Sequence, residues 1–113
     1  MSVGTCVTKQ LWGAVVTEWE LTGNGGGEPV RCPQYADKSY AMFGTWGGAT
    51  VVLQGSWDFD NPTTWFTLNE SDNTTAISNT ANAAGKVLEN PIWIRPLMSS
   101  AGTTDVKISC VCK

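Results

Sequence analysis

The run Val15-Val16-Thr17-Glu18-Trp19-Glu20-Leu21 decides the fold class, because Val15, Thr17, Trp19 and Leu21 fall on one side of it and Val16, Glu18 and Glu20 on the other. Successive side chains of a strand point to opposite faces, so this period of two reads as a half-buried β-strand and not as a helix. The same alternation sets Val51, Leu53, Gly55 and Trp57 against Val52, Gln54 and Ser56, and Val106, Ile108, Cys110 and Cys112 against Lys107, Ser109 and Val111. Shorter strand-like runs lie at 30–32, 40–46, 64–68, 75–79 and 92–95, which brings the total to about eight strands. Turn chemistry separates them at Gly23 to Gly27, Gly47-Gly48, Asp60-Asn61-Pro62, Ser71-Asp72-Asn73 and Ala101-Gly102. The pattern predicts an all-β, single-domain antiparallel β-sandwich or jelly roll over residues 15–113. Residues 1–14 hold apolar groups without a clear face and read as an N-terminal arm. A helix is expected only over Asn82 to Leu88, where alanines cluster. The stretch from Asn69 to Gly85 is rich in Asn, Thr, Ser and Ala, and reads as a polar edge strand or as a loop long enough to make a contact. Gly23 to Gly27 has no lysine or serine placed for phosphate binding and reads as a flexible connector.

A chain of 113 residues holds one domain. Charged residues are 15% of it, against roughly 25% in an average soluble domain. The net charge is −3, and Arg31 and Arg95 are the chain's arginines. That excludes a nucleic-acid reader, which needs a basic stripe to displace counterions from phosphates. The absence of histidine excludes histidine triads and imidazole metal centres. No window approaches the length of a membrane-spanning helix. Met1 to Cys6 carries no basic, apolar leader pattern, so the expectation is synthesis in a cytoplasm. There, Cys6, Cys32, Cys110 and Cys112 are read as reduced thiols packed as small hydrophobes; the C-x-C spacing of the last two lacks the C-x₂-C of a zinc knuckle. The sequons at Asn69 and Asn73 carry no weight without export. No metal or cofactor is expected.

Two acidic groupings invite a chemical reading. Glu18 and Glu20 point the same way from one strand, roughly 7 Å apart by strand geometry, a separation used by paired glycosidase carboxylates. The plainer reading is a solvated strand face, since nothing in the adjacent sequence raises one acid's pKa above the other's. Asp58, Asp60 and Asn61 offer oxygens to a calcium ion but lack a later bidentate glutamate, and an Asx-type turn explains them better. The six tryptophans are more informative. Trp19 and Trp57 fall on the apolar side of their strands and are expected in the core. Trp93 lies between Ile92 and Ile94 and points outward with Arg95 if the isoleucines point inward, while Trp12 and Trp46 sit beside glycines near strand ends. Exposed Trp and Arg are the types enriched at binding hot spots, and a planar Trp also stacks sugar rings.

The segment from Gly44 to Ser56 (Gly-Thr-Trp-Gly-Gly-Ala-Thr-Val-Val-Leu-Gln-Gly-Ser) leads through Trp57-Asp58 into Trp65-Phe66-Thr67-Leu68. Later come Glu89-Asn90-Pro91-Ile92-Trp93-Ile94-Arg95-Pro96 and Gly102-Thr103-Thr104-Asp105-Val106-Lys107-Ile108. This pattern, over about residues 44 to 112, resembles the small β-rich capsid decoration (cement) proteins of tailed bacteriophages. It departs from them in the longer connection between Asp58 and Thr64. The resemblance implies a jelly roll or related sandwich on the outer capsid surface, bound to the major capsid protein, bridging neighbouring subunits in many copies as a homo-oligomer. It implies a non-enzymatic virion protein assembled in the host bacterial cytoplasm; on the strand placement above, Trp12, Trp46, Trp93 and Arg95 are the expected contact residues. The alternatives are a glycan-binding sandwich of a virion using the same tryptophans, and, more remotely, a small glycosidase using Glu18 and Glu20.

Overall fold

The period-two runs become two facing antiparallel sheets. The computed structural model describes residues 3–11, 14–31, 37–72 and 74–113, and among them eleven strands and no helix. These are β1 (Val3–Leu11), β2 (Ala14–Leu21), β3 (Gly25–Gly26), β4 (Val30–Arg31), β5 (Lys38–Thr45), β6 (Thr50–Ser56), β7 (Phe66–Thr67), β8 (Ser78–Asn79), β9 (Ala83–Val87), β10 (Trp93–Ser99) and β11 (Asp105–Cys112). One sheet runs β1-β2-β11-β5-β9; the other runs β3-β10-β6-β7, with β4 also on β10 and β8 also on β6. Four of the short strands are halves of two longer ones. β3 and β4 lie along one edge of β10, and β7 and β8 along one edge of β6. Counted so, β2 pairs with β11, β3/β4 with β10, β5 with β9 and β6 with β7/β8. Each strand thus meets its counterpart from the other end of the chain, as in a long hairpin rolled over on itself, which is the topology of a jelly roll.

The core is what the alternation buries. Trp19, Leu21, Tyr40, Met42, Val106, Ile108, Cys110 and Cys112 from one sheet face Val51, Leu53, Ile94 and Met98 from the other, with Leu68 and Ile77 beside them. Full burial of each large apolar side chain stabilises by about 1.5–3 kcal/mol. Cys110 and Cys112 are buried side by side with Sγ atoms 3.8 Å apart; the side chains of Cys6 and Cys32 lie outside the described residues.

Four expectations meet a different structure. Gly23 to Gly27 is more than a connector: Gly25–Gly26 pairs with Met98 and Leu97, and Gly27 is buried. A Cβ on Gly27 would lie 2.7 Å from Cδ1 of Trp19 and 2.9 Å from the Pro96 ring, so the glycine lets the chain bulge around the indole. Trp19 Nε1 then donates to the carbonyl of Glu28 at 2.8 Å, which ties the two sheets together. The bulge also accommodates Pro96 inside a central strand. Gly27 N–H donates to the Pro96 carbonyl, and in a strand a residue's N–H and C=O point the same way, so the missing proline N–H faces the interrupted edge and the ladder with β6 is intact. Asn82 to Leu88 is not a helix. Ala83–Val87 pairs with β5 from Met42↔Ala83 to Lys38↔Val87, because a run this short gains little helicity alone while the sheet supplies partners. Residues expected as an arm include β1, the edge strand laid on β2 from Leu11↔Ala14 to Val3↔Leu21. The 69–85 stretch divides into a tight hairpin closed by the Asn69↔Ala76 bridge, then β8, then β9. Asp72 builds that hairpin by accepting from the N–H groups of Thr74 and Thr75.

The link between sheets at β5 and β6 is a turn in which Ala49 N–H donates to the Trp46 carbonyl at 2.8 Å. Gly47 and Gly48 have φ of 53° and 84°, values that L side chains rarely adopt.

Candidate functional site

On the outer face of the six-stranded sheet, register places Arg31, Trp93 and Ser56 in one row and Arg95 and Gln54 in the next. Trp93 and Arg95 alternate with buried Ile94, Pro96 and Met98, so both point outward as the sequence implies. Each arginine lies on aromatic rings. The Arg95 guanidinium is 4.1 Å from the ring centre of Trp65, and that of Arg31 is 5.7 Å from both Phe59 and Trp93. Such cation–π contacts contribute about 0.5–1 kcal/mol when exposed. Arg95 Nε also donates to Gln54 Oε1 at 3.0 Å, and a Cβ on Gly26 would lie 2.9 Å from its Nη1, so the glycine leaves room for the fork. Burial lowers the Arg95 pKa from its ordinary value, though it stays charged at any working pH.

The loop after β6 is held by one carboxylate. Asp58 Oδ2 accepts from the backbone N–H of Thr63 at 2.7 Å and of Thr64 at 2.9 Å, and from the Ser56 hydroxyl at 3.0 Å. Those N–H donors first, then the hydroxyl, hold its carboxyl below the usual range. Trp93 Nε1 donates to the Asp58 carbonyl at 3.0 Å, joining loop to sheet. The cluster read as calcium ligands or as a turn is therefore a turn at Asp58, and among the described residues no group of three acidic or cysteine side chains is placed for a metal.

Around this turn lie the most exposed aromatic rings among the described residues: Phe59 is 72% exposed, Phe66 56% and Trp57 47%. Trp57 corrects an expectation. It keeps the inward phase of Val51, Leu53 and Gly55, but β6 ends at Ser56, so the indole lies past the end of the core and packs edge-on against Phe66 at 6.0 Å. Trp46 lies at the other end of β6, about 20 Å away along a seven-residue strand. It packs against the core, and its Nε1 donates to Asn82 Oδ1 at 2.8 Å. The structure thus brings Trp93 and Arg95 together and leaves Trp46 apart; Trp12 lies outside the described residues. Arg31 and Phe66 join the surface unannounced through the pairing of β4 and β7 with their neighbours, and Phe59 and Trp65 through the loop that leads into β7.

On the opposite outer face Glu18 and Glu20 are exposed, across β11 from Ser109 and Lys107. Glu20 is not equivalent to its neighbour. A hydrogen bond to Asp105, then the repulsion of that carboxylate, pushes its pKa above the ordinary value, with Lys107 opposing. The perturbing acid comes from β11, 85 positions along the chain from Glu20 and out of view in the adjacent sequence.

No helix among the described residues is long and apolar enough to cross a membrane. No protein-family model and no curated protein matches the chain. Among solved structures it is similar to a cupin domain from Bordetella pertussis Tohama I, with a TM-score of 0.47 at 11% identity, over 98% of this chain and 94% of that one.

Proposed function

We propose that the protein is a viral structural protein that binds the outer surface of a tailed-bacteriophage capsid and stabilises the shell by bridging neighbouring subunits. The observation that supports it is the exposure of Trp57, Phe59 and Phe66 together at one end of a rigid sandwich. Large apolar rings left in water are a standing driving force for docking, and aromatic side chains are enriched at the centre of protein interfaces. The partner is the major capsid protein, and the role is non-catalytic and needs no cofactor. Many weak contacts over a lattice stabilise a shell by avidity. Sugar stacking is less favoured by the geometry, because a guanidinium already lies over Trp65 and another over Trp93. Synthesis in the host bacterial cytoplasm and residence on the virion follow from this reading.

Co-sedimentation with bare capsids is the test. The protein is expected to pellet saturably at a fixed ratio to capsid subunits, and the double variant W57A/F59A to lose at least about tenfold in affinity. Failure of the wild-type protein to pellet with the capsids of its own phage would sink the reading.

A further inference from the structure

We infer that a second copy of this chain docks on the arginine face, presenting its own Glu18 and Glu20 to Arg31 and Arg95. Both arginines of a chain with net charge −3 lie on one sheet face, and among the described residues neither makes an ion pair. In the loop beside them, the carboxylate of Asp58 is engaged by Thr63 and Thr64. Aromatic rings lie against both guanidinium groups, and Gln54 accepts from Arg95 Nε. Guanidinium forks held in this way match carboxylates bidentately.

The complementary surface is on the same molecule. Arg31 is opposite Trp93, and Arg95 is two residues further along β10, so the two arginines are diagonal neighbours about 7–8 Å apart at their bases. Glu18 and Glu20, at i and i+2 of β2, are separated by roughly 7 Å on an exposed strand. Asp105 adds a third carboxylate beside Glu20, against the single opposing charge of Lys107. Apolar groups flank the acids as they flank the arginines: Val7 is 57% exposed opposite Glu18, and Phe43 is 42% exposed opposite Lys107. Depressions lined by Val7, Glu18, Glu20 and Lys107, and by Phe43, Thr45, Asp105 and Lys107, give this face relief against which projecting rings can seat. The molecule measures 36 × 30 × 29 Å, so one sheet face has room for the roughly 800 Å² per partner of a standard interface. The contact joins two different surfaces, so it is heterologous and leads to a closed ring or an open chain. It leaves Trp57 and Phe66 unused but shares Phe59 with the capsid reading, because that ring lies under Arg31, so it is tested without capsid.

Sedimentation velocity of the purified full-length protein at low ionic strength, with no capsid present, tests it. The wild type is expected to self-associate reversibly with concentration, less so as salt is added. R31E/R95E and E18R/E20R, each with the wild-type far-ultraviolet dichroism, are each expected to weaken association by more than about a hundredfold. Mixed in equal amounts, they are expected to regain association, since the retained acids of one meet the retained arginines of the other and the reversed charges are again complementary. If R31E/R95E does not fold, R31Q/R95Q replaces it, with loss of association as the expected result. A wild-type protein monomeric at every concentration, variants that associate as the wild type does, or folded variants that ignore each other would each overturn the inference.

Discussion

On the outer face of the six-stranded sheet the carboxylate of Asp58 is held by the N–H groups of its own loop, and the two arginines rest on aromatic rings. On the outer face of the five-stranded sheet Glu20 and Asp105 face each other as like charges, with Lys107 as their local counterweight. Both faces are built from alternating strands, and both carry charged residues at outward positions, Glu18 and Glu20 on β2 and Arg95 on β10. They differ in where the donors are. A loop folded back on its acid satisfies it internally and leaves the nearby cations for something else; two acids on neighbouring strands have no such loop. Surface character here is decided by which residues share a row, more than by residue type along any one strand.

The sharpest way to break this division is to attack the residue that separates the faces. Trp19 sits between Glu18 and Glu20, is 1% exposed, and reaches across the sandwich to Glu28 and Gly27. Trp19→Ala is expected to cost about 3–5 kcal/mol in chemical denaturation. Trp57→Ala, the same change at a residue 47% exposed, is expected to cost under about 1 kcal/mol while weakening capsid binding. Similar losses for both would mean that Trp57 belongs to the core after all.

That pair of tryptophans marks how far sequence reading reached. The strands of the core were legible because alternation is a local signal: 15–21, 51–56 and 106–112 are strands with the expected phases. Trp57 has the right phase and the wrong environment, because phase does not say where the opposing sheet stops. Ala83–Val87 was illegible for a related reason. Its alanines favour a helix locally, and the β5 partner that overrides them lies some forty residues earlier. Trp93 and Arg95 were found from the isoleucines beside them, whereas Arg31 needed the register of a short strand beside β10, and Trp65 the loop that leads into β7. The raised pKa of Glu20 depends on Asp105, a neighbour across the sheet that no window around Glu18 and Glu20 contains.

The smallest expected effects test the comparison most directly, because the two acids should respond to pH with opposite signs. The folded state lowers the Asp58 pKa from an ordinary value of 3.8, so its contribution is present above that pH and is lost as the pH falls through the folded value. Asp58→Asn loses charge-assisted bonds from Thr63 and Thr64. It is therefore expected to lower the melting temperature by a few degrees near neutral pH and by progressively less below pH 3.8. For Glu20 the folded state raises the pKa from 4.5, so its contribution is fully present below that pH and is lost as the pH rises through the folded value, where repulsion from Asp105 sets in. Glu20→Gln removes that repulsion and is expected to raise the melting temperature slightly at neutral pH, with the gain vanishing as the pH falls to 4.5. Melting curves of both variants against wild type across this range read the two slopes, at dilutions where copies do not meet. Slopes of the same sign would mean that the two faces handle their acids alike. Opposite slopes would follow from the hydrogen bonds around each carboxylate: N–H donors from a loop in one case, and a second acid across the strand in the other.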